Sequence, residues 1–459
     1  MNNRLSLKSS ALVGSMLFGL FFGAGNLIFP VHMGQAAGSN VLLATIGFLI
    51  TGVGLPFLGI IAMGISNSTG LFDLSSRVHP VYAYVLTILL YLTIGPLFAL
   101  PRTGTVPYEI GVAPFMGETN QALGLAVFTF LFFLVALIFA LRPSKILVWV
   151  GKILNPLFLV FLAVLVVVGF LNPMGGISNT AVTEAYSSAA LFKGFTEGYN
   201  TMDALASLAF GIIVINAIKD LGVKNPKDIA IGTVKSGFVS MILMGVIYAC
   251  LAYLGAASAN KFPVSENGGI ALQQIANYYF GFYGSILLAI IVTIACLKTA
   301  IGLITSCSET FTELFPHSLS YKAYAIIFTI ITCLIANVGL TKIITLSLPV
   351  LMFIYPLAIT LIIMALISPL FKNSRTVYIT TTLFTLIASI GDALNAMPEI
   401  VLNQAWVQTV LTFYQGHLPF FKIGMGWTVP ALIGLCLGWI LSLIIDSKNS
   451  KPKNAIIRQ

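Results

Sequence analysis

Between residues 10 and 445 the chain is built from twelve apolar runs, each about 20 residues long and mostly joined by short loops. Little else restricts a fold so strongly. The hydrocarbon core of a bilayer is about 30 Å thick and takes about 20 helical residues to cross. Inside it every backbone N–H and C=O must be bonded within the protein, which leaves helices and closed barrels as the only spanning structures. Runs of this length imply helices. They cover residues 10–30, 41–65, 80–101, 120–141, 146–171, 201–218, 233–256, 283–306, 322–338, 343–368, 376–395 and 426–445. Composition agrees, with 58% hydrophobic and 8% charged residues against roughly 25% charged in an average soluble protein. The expectation is an all-α integral membrane protein of about twelve transmembrane helices, residues 1–459 forming one polytopic domain with no room for a separate soluble or ATPase module.

The net charge of +9 need not imply a nucleic-acid partner. With the N-terminus placed inside, seventeen of the 23 basic residues fall on the same side, from Arg4 and Lys8 through Arg142, Lys145 and Lys152 to Lys451, Lys453 and Arg458. Only Arg102, Lys193, Lys261, Lys342 and Lys422 fall outside, and Lys298 lies within a helix. An excess of Lys and Arg in alternate loops marks the cytoplasmic side, so both termini are expected in the cytoplasm. The first run is too long, and too interrupted by Gly, Asn and Pro, for a cleaved signal. Five cysteines in apolar segments, without C-x-x-C spacing, read as core residues rather than disulfides or metal ligands. The four histidines sit at loops or helix ends, without the spacing of a metal pair.

The first run carries an anomaly. Its stretch FFGAGNLIFP, Phe21 to Pro30, holds two glycines, an asparagine and a proline where a plain spanning helix needs none. An unwound stretch at membrane depth survives only when buried in protein or lining a cavity. Secondary transporters use such breaks, in corresponding helices of two repeats, to aim half-helix ends at substrate and ion. Five helices later, TMDALASLAFGIIVINAIK, Thr201 to Lys219, sets Ser207 and Gly211 around Phe210 with Asp203 near one end. A carboxylate at this depth is costly unless it faces the protein interior or the interface.

FGAGNLIFP, GPLFALPRTGTVPYEIGVAP (Gly95 to Pro114), TMDALASLAFGIIVINA and IACLKTAIGLITSCSETF together resemble the BrnQ-type branched-chain amino acid carriers of bacteria, over nearly the whole chain. That resemblance implies a cation-coupled symporter for leucine, isoleucine and valine in the cytoplasmic membrane. More distantly it implies a LeuT-like fold, with helices 1–5 (residues 10–171) and 6–10 (194–368) as an inverted repeat and two peripheral helices (376–445) after them. Membrane lipid is its surroundings, and neither a cofactor nor an obligatory protein partner is implied beyond the coupling H+ or Na+.

By the same resemblance the substrate carboxylate meets free amides at Ala24 and Gly25, where a half-helix N-terminus favours an anion. Its ammonium faces carbonyls near Phe21 and Leu205 and the Ser207 hydroxyl, with Phe210 as a wall. Asn26 is placed to satisfy freed backbone groups. Around both breaks, Phe21, Phe22, Leu27, Leu208, Ala209 and Phe210, with Gly211 beside them, offer nothing to a polar substrate tail. An apolar pocket separates one methylene by only about 1–3 kcal/mol, so leucine, isoleucine and valine would share it. The coupling ion is expected among carbonyls of Gly19 and Phe22 and the hydroxyl of Thr299, since hard cations prefer such oxygens. Beside Thr299 stands Lys298, which either supplies a fixed charge in place of sodium or turns aside to snorkel or to pair with Asp203. Arg102 and Glu109 either gate the outer mouth or pair to hold a corner. A channel is disfavoured because no filter-like run appears. A membrane enzyme is disfavoured because no H-E-x-x-H or G-x-S-x-G motif is present.

Overall fold

The first apolar run folds as two helices. Helix 1a spans Leu7–Phe21 and helix 1b spans Ala24–Ala37, and between them Phe22 (φ −74°, ψ 92°) and Gly23 (φ −122°, ψ −151°) are extended. The computed structural model describes residues 5–66, 68, 70–116, 120–142 and 155–449. Arg4, Lys145, Lys152, Lys451, Lys453, Arg458 and the first part of the 146–171 run lie outside the described residues.

The other apolar runs also fall in helices, and no strand occurs among the described residues. Helix 2 comprises Val41–Leu49 and Leu55–Ile65, joined by a π-turn at Ile50–Gly54. Helix 3 is kinked at Gly95 (φ −88°, ψ −125°), in a second π-turn, Thr93–Leu97, that joins Pro80–Leu92 to a second segment, Ala99–Gly111. It therefore continues past Pro101 and Pro107; Pro101 stands in the first turn, where a missing N–H costs no helical bond. Helices 4 and 5 are Gln121–Ala140 and Asn155–Leu171. Helix 6 is broken into 6a, Ala190–Glu197, and 6b, Asp203–Asp220. Helices 7 to 12 are Pro226–Ser258, Gly268–Leu314, Tyr321–Ala336, Leu340–Ile367, Arg375–Asn395 and Thr428–Asn449. Helix 8 bends at Gly281, whose φ of +55° favours glycine.

Helix 1 is buried on all sides from Met16 to Phe22, and 6b from Asp203 to Gly211. These two stand at the centre, with helices 2, 7, 8 and 10 packed around them. Helices 11 and 12 pack on each other and lean on helix 10. The exterior is carpeted with apolar side chains, among them Phe130, Leu131, Val246, Ile330 and Leu443, each more than half exposed. Exposed apolar surface of this kind suits hydrocarbon, not water.

Half-helices 1b and 6a meet their neighbours backbone to backbone. A Cβ at Gly34 of helix 1b would stand 2.0 Å from the Ala252 carbonyl of helix 7, and one at Gly255 would stand 2.1 Å from Val31 O. Gly47 of helix 2 and Gly194 of helix 6a interlock in the same way, 1.9 Å from Leu191 O and 2.0 Å from Ala44 O. At the other end of the bundle a vestibule of about 1000 Å³ lies between helices 2, 3, 6b, 7 and 8, with Asp73, Lys219, Lys224 and Glu313 on its walls.

Candidate functional site

The two breaks meet. Helix 6a gives way to a short 3-10 turn, Gly198–Thr201, and then to Met202, a buried non-glycine residue at φ 61°. A left-handed conformation costs an L-residue roughly 1–2 kcal/mol, so the surroundings must hold it there. Local bonds help: Thr201 Oγ1 donates to Gly198 O at 2.9 Å and accepts from the Asp203 amide at 3.4 Å. Thr51 in the helix 2 π-turn donates to the Phe195 carbonyl at 2.7 Å, capping the end of 6a.

Asp203 opens helix 6b, where a carboxylate is favoured by the exposed amides of the first turn. It is 1% exposed, and its Oδ2 accepts from Asn26 Nδ2 at 2.7 Å and from Tyr248 Oη at 2.6 Å. Asn26 Oδ1 accepts the Gly23 amide at 2.9 Å, and Asn26 Nδ2 also donates to Tyr248 Oη. One asparagine thus satisfies an amide freed by the break in helix 1 and ties it to the acid at the break in helix 6. The amides of Ala24 and Gly25, in the first turn of 1b, have no intrahelical acceptor. At Gly23 the chain passes so close to helix 8 that a Cβ would stand 2.6 Å from Thr299 Oγ1.

Around these breaks lies a narrow cavity lined by Phe21, Gly23–Asn26, Ile94, Arg102, Asn200–Asp203, Phe210, Thr299 and Leu303, among others. Its volume of about 30 Å³ has room for about two or three water molecules, so an organic molecule enters only if the cavity widens. Its floor is thin. Phe210 lines it against Phe21, with ring centroids 5.7 Å apart, while the next residue, Gly211, already faces the vestibule.

Of the residues the sequence placed at the substrate, Phe21, Ala24, Gly25, Asn26 and Phe210 line this cavity. Leu205, Ser207, Leu208 and Ala209 do not, and Gly211 faces the vestibule instead. The reason is the position of the break: it falls at 198–202, so residues 205–211 are already regular helix with bonded carbonyls. Ser207 Oγ donates to Ala204 O at 2.7 Å, and Ala209 O accepts from Tyr91 and Ser306. On the ion side, Thr299 lines the cavity and donates to the Leu20 carbonyl at 3.3 Å, whereas Gly19 and Phe22 do not line it. Lys298 is fully buried and points elsewhere: its Nζ lies 4.0 Å from the Phe158 ring centroid and 5.6 Å from that of Phe18. It neither snorkels nor reaches Asp203. Arg102 and Glu109 do not pair, because Glu109 accepts from Asn267 at 2.8 Å while Arg102 turns into the cavity.

Asn200, Thr201, Met202, Asp203 and the Tyr248 hydroxyl were not assigned to the site, and Arg102 was weighed only as a gate or a corner. The signal for 200–203 was available: Asn200, Thr201 and Asp203 ahead of an apolar run are helix-starting residue types. Among the described residues no group of three His, Cys, Asp or Glu could hold a metal ion.

A helical membrane bundle with its central cavity between two broken helices, parted by a thin floor from a vestibule at one end, is a secondary transporter of the discontinuous-helix class. The chain belongs to the branched-chain amino acid transport protein family, whose profile matches residues 6–445. It is 48% identical to the branched-chain amino acid permease BrnQ of Lactobacillus delbrueckii subsp. lactis over 94% of this chain and 96% of that one. It is 45% identical to the permease BraB of Bacillus subtilis over 99% and 100%. Its fold is similar to MhsT in complex with L-phenylalanine (TM-score 0.55, 14% identity, 96% and 99% of the chains) and to Mhp1 in an inward-facing conformation (TM-score 0.58, 13% identity, 95% and 90%). The LeuT-like, multi-pass architecture expected from the sequence is therefore the one the chain adopts, and the protein is a transporter, not an enzyme.

Proposed function

We propose that this protein takes up leucine, isoleucine and valine across the bacterial cytoplasmic membrane. Uptake is coupled to inward movement of H+ or Na+ by alternating access. Helices 1–5 and 6–10 act as the two inverted repeats, with both termini in the cytoplasm. The observation that carries the reading is the meeting of the two breaks around one buried cavity, in a chain 45–48% identical to named branched-chain permeases. Phe21, Ile94, Phe210 and Leu303 give the cavity an apolar side suited to a branched aliphatic chain. The basic residues Lys219 and Lys224 stand at the vestibule, which supports a cytoplasmic vestibule by the positive-inside bias and hence an inward-oriented conformation. Thr299 beside the Leu20 carbonyl offers oxygens to a coupling ion.

The test is uptake of labelled leucine into proteoliposomes under a sodium gradient, a proton gradient or neither, with unlabelled amino acids as competitors. Accumulation under one gradient, competed by isoleucine and valine, is expected. Failure of both gradients to drive accumulation refutes symport, and competition by alanine or serine equal to that of isoleucine refutes the apolar pocket.

A further inference from the structure

The cavity carries one charge of each sign, and the two are not joined. Arg102 is 2% exposed. Its Nη1 donates to the Asn200 carbonyl at 3.0 Å, its Nη2 donates to Ser347 Oγ, and its guanidinium lies 5.5 Å from the Phe29 ring centroid. Nε has no partner. A guanidinium has five N–H donors, so several remain unused, and every partner it has is neutral. Asp203 likewise is held by neutral groups alone, accepting from Asn26 and Tyr248 on Oδ2 with the Thr201 side chain beside it, and it lines the cavity. Among the described residues no acidic oxygen lies within ion-pair distance of Arg102 and no basic nitrogen within that distance of Asp203.

Taking a single charge out of water costs several kcal/mol unless a partner is supplied, and at membrane depth such residues mark binding sites. A buried cation and a buried anion on one cavity wall, held apart by their own hydrogen bonds, are matched together by a molecule carrying both charges. We propose that Arg102 binds the carboxylate of the transported amino acid and that Asp203 binds its ammonium. The backbone fits this: a Cβ on Gly25 would stand 3.4 Å from the Asn200 carbonyl, the same carbonyl that Arg102 holds. A carboxylate on the Gly25 amide thus lies beside the guanidinium and receives a charge-assisted bond as well as a backbone one. The two residues make the site selective for a zwitterion over an amine or an acid of the same shape, because either half-charged analogue leaves one buried charge unmatched. This assignment rests on the amino-acid transport proposed above.

The experiment titrates the purified full-length protein with leucine, leucinol and 4-methylpentanoate, reading apparent Kd from the shift in melting temperature. Leucinol lacks the carboxylate and 4-methylpentanoate lacks the amine. In the wild type both analogues bind at least about 100-fold more weakly than leucine. Arg102→Gln cuts the leucine-to-leucinol ratio at least tenfold with little change for leucinol, Arg102→Lys restores part of it, and Asp203→Asn does the same for leucine against 4-methylpentanoate. Equal loss of leucine and analogue in a variant makes that residue merely structural and overturns the assignment, as does an Asp203→Asn variant that alters only the driving ion. If the variants fail to fold, wild-type analogues that bind as tightly as leucine overturn it alone. Wild-type protein that fails to accumulate leucine under either gradient refutes the transport reading instead, which keeps the two failures apart.

Discussion

Asn26→Ala is the sharpest perturbation of the break in helix 1. The side chain accepts the Gly23 amide at 2.9 Å, donates to Asp203 at 2.7 Å and donates to Tyr248, all at 2% exposure. Removing it deletes a bond to a charged group, worth about 1.5–3 kcal/mol. It also strands the buried Gly23 amide, at about 1–3 kcal/mol, and takes a donor from Tyr248, at about 1 kcal/mol. Allowing for relaxation, the loss should be about 3–5 kcal/mol. Tyr248→Phe removes the 2.6 Å bond to Asp203 and the Asn26–Tyr248 bond, for about 2–4 kcal/mol. The bond between these two residues is lost in both single variants, so the double variant should cost at least about 1 kcal/mol less than their sum. Unfolding in mixed detergent micelles measures all three, and leucine uptake should fall with Asn26→Ala. Strict additivity, or an Asn26→Ala cost below about 1 kcal/mol, would show that the network does not hold the break.

Three further outcomes follow from the cavity. Gly25→Val should abolish uptake while the protein still reaches the membrane, because even a Cβ there would stand 3.1 Å from the Phe29 ring; normal uptake would move the substrate elsewhere. Phe210→Ala removes a ring from the floor between cavity and vestibule and should let phenylalanine or tryptophan compete with leucine at least about tenfold better, a difference of about 1.4 kcal/mol in binding; an unchanged competition profile would show that the floor does not set substrate size. Lys298→Met should leave the driving ion unchanged, since the ammonium lies over the Phe158 ring and away from the cavity; a switch between sodium and proton dependence would return it to the ion site.

The apolar runs were legible because membrane thickness fixes their length, and each lies in or overlaps a described helix. The break in helix 1 was legible because Gly23, Gly25 and Asn26 are poor choices within a plain spanning helix. The break in helix 6 was expected but set too far along, near Ser207 and Gly211, because the apolar run begins only at the end of it: most of the unwound residues 198–202 belong to what reads as a loop, and 6a is an eight-residue helix too short to stand out. Arg102 and Asp203 were visible as misplaced charges, but their partners lie up to 245 residues away in sequence. For Lys298 a single helical step decides the matter. Successive residues point about 100° apart, so Thr299 faces the cavity and its neighbour faces helices 1a and 5.

The glycine contacts at the end of the bundle away from the vestibule imply something about how such a carrier avoids leaking. Where Gly34 meets Ala252 and Gly194 meets Ala44 there are no side chains to rotate or to leave a gap partly filled. Two backbones in direct contact behave as a latch that is either seated or released. A methyl group at any of these positions would act as a doorstop, holding that end of the bundle ajar and shifting the population toward the opposite conformation. The same smallness that lets the gate shut tightly therefore gives the experimenter a one-atom wedge for capturing the opposite state.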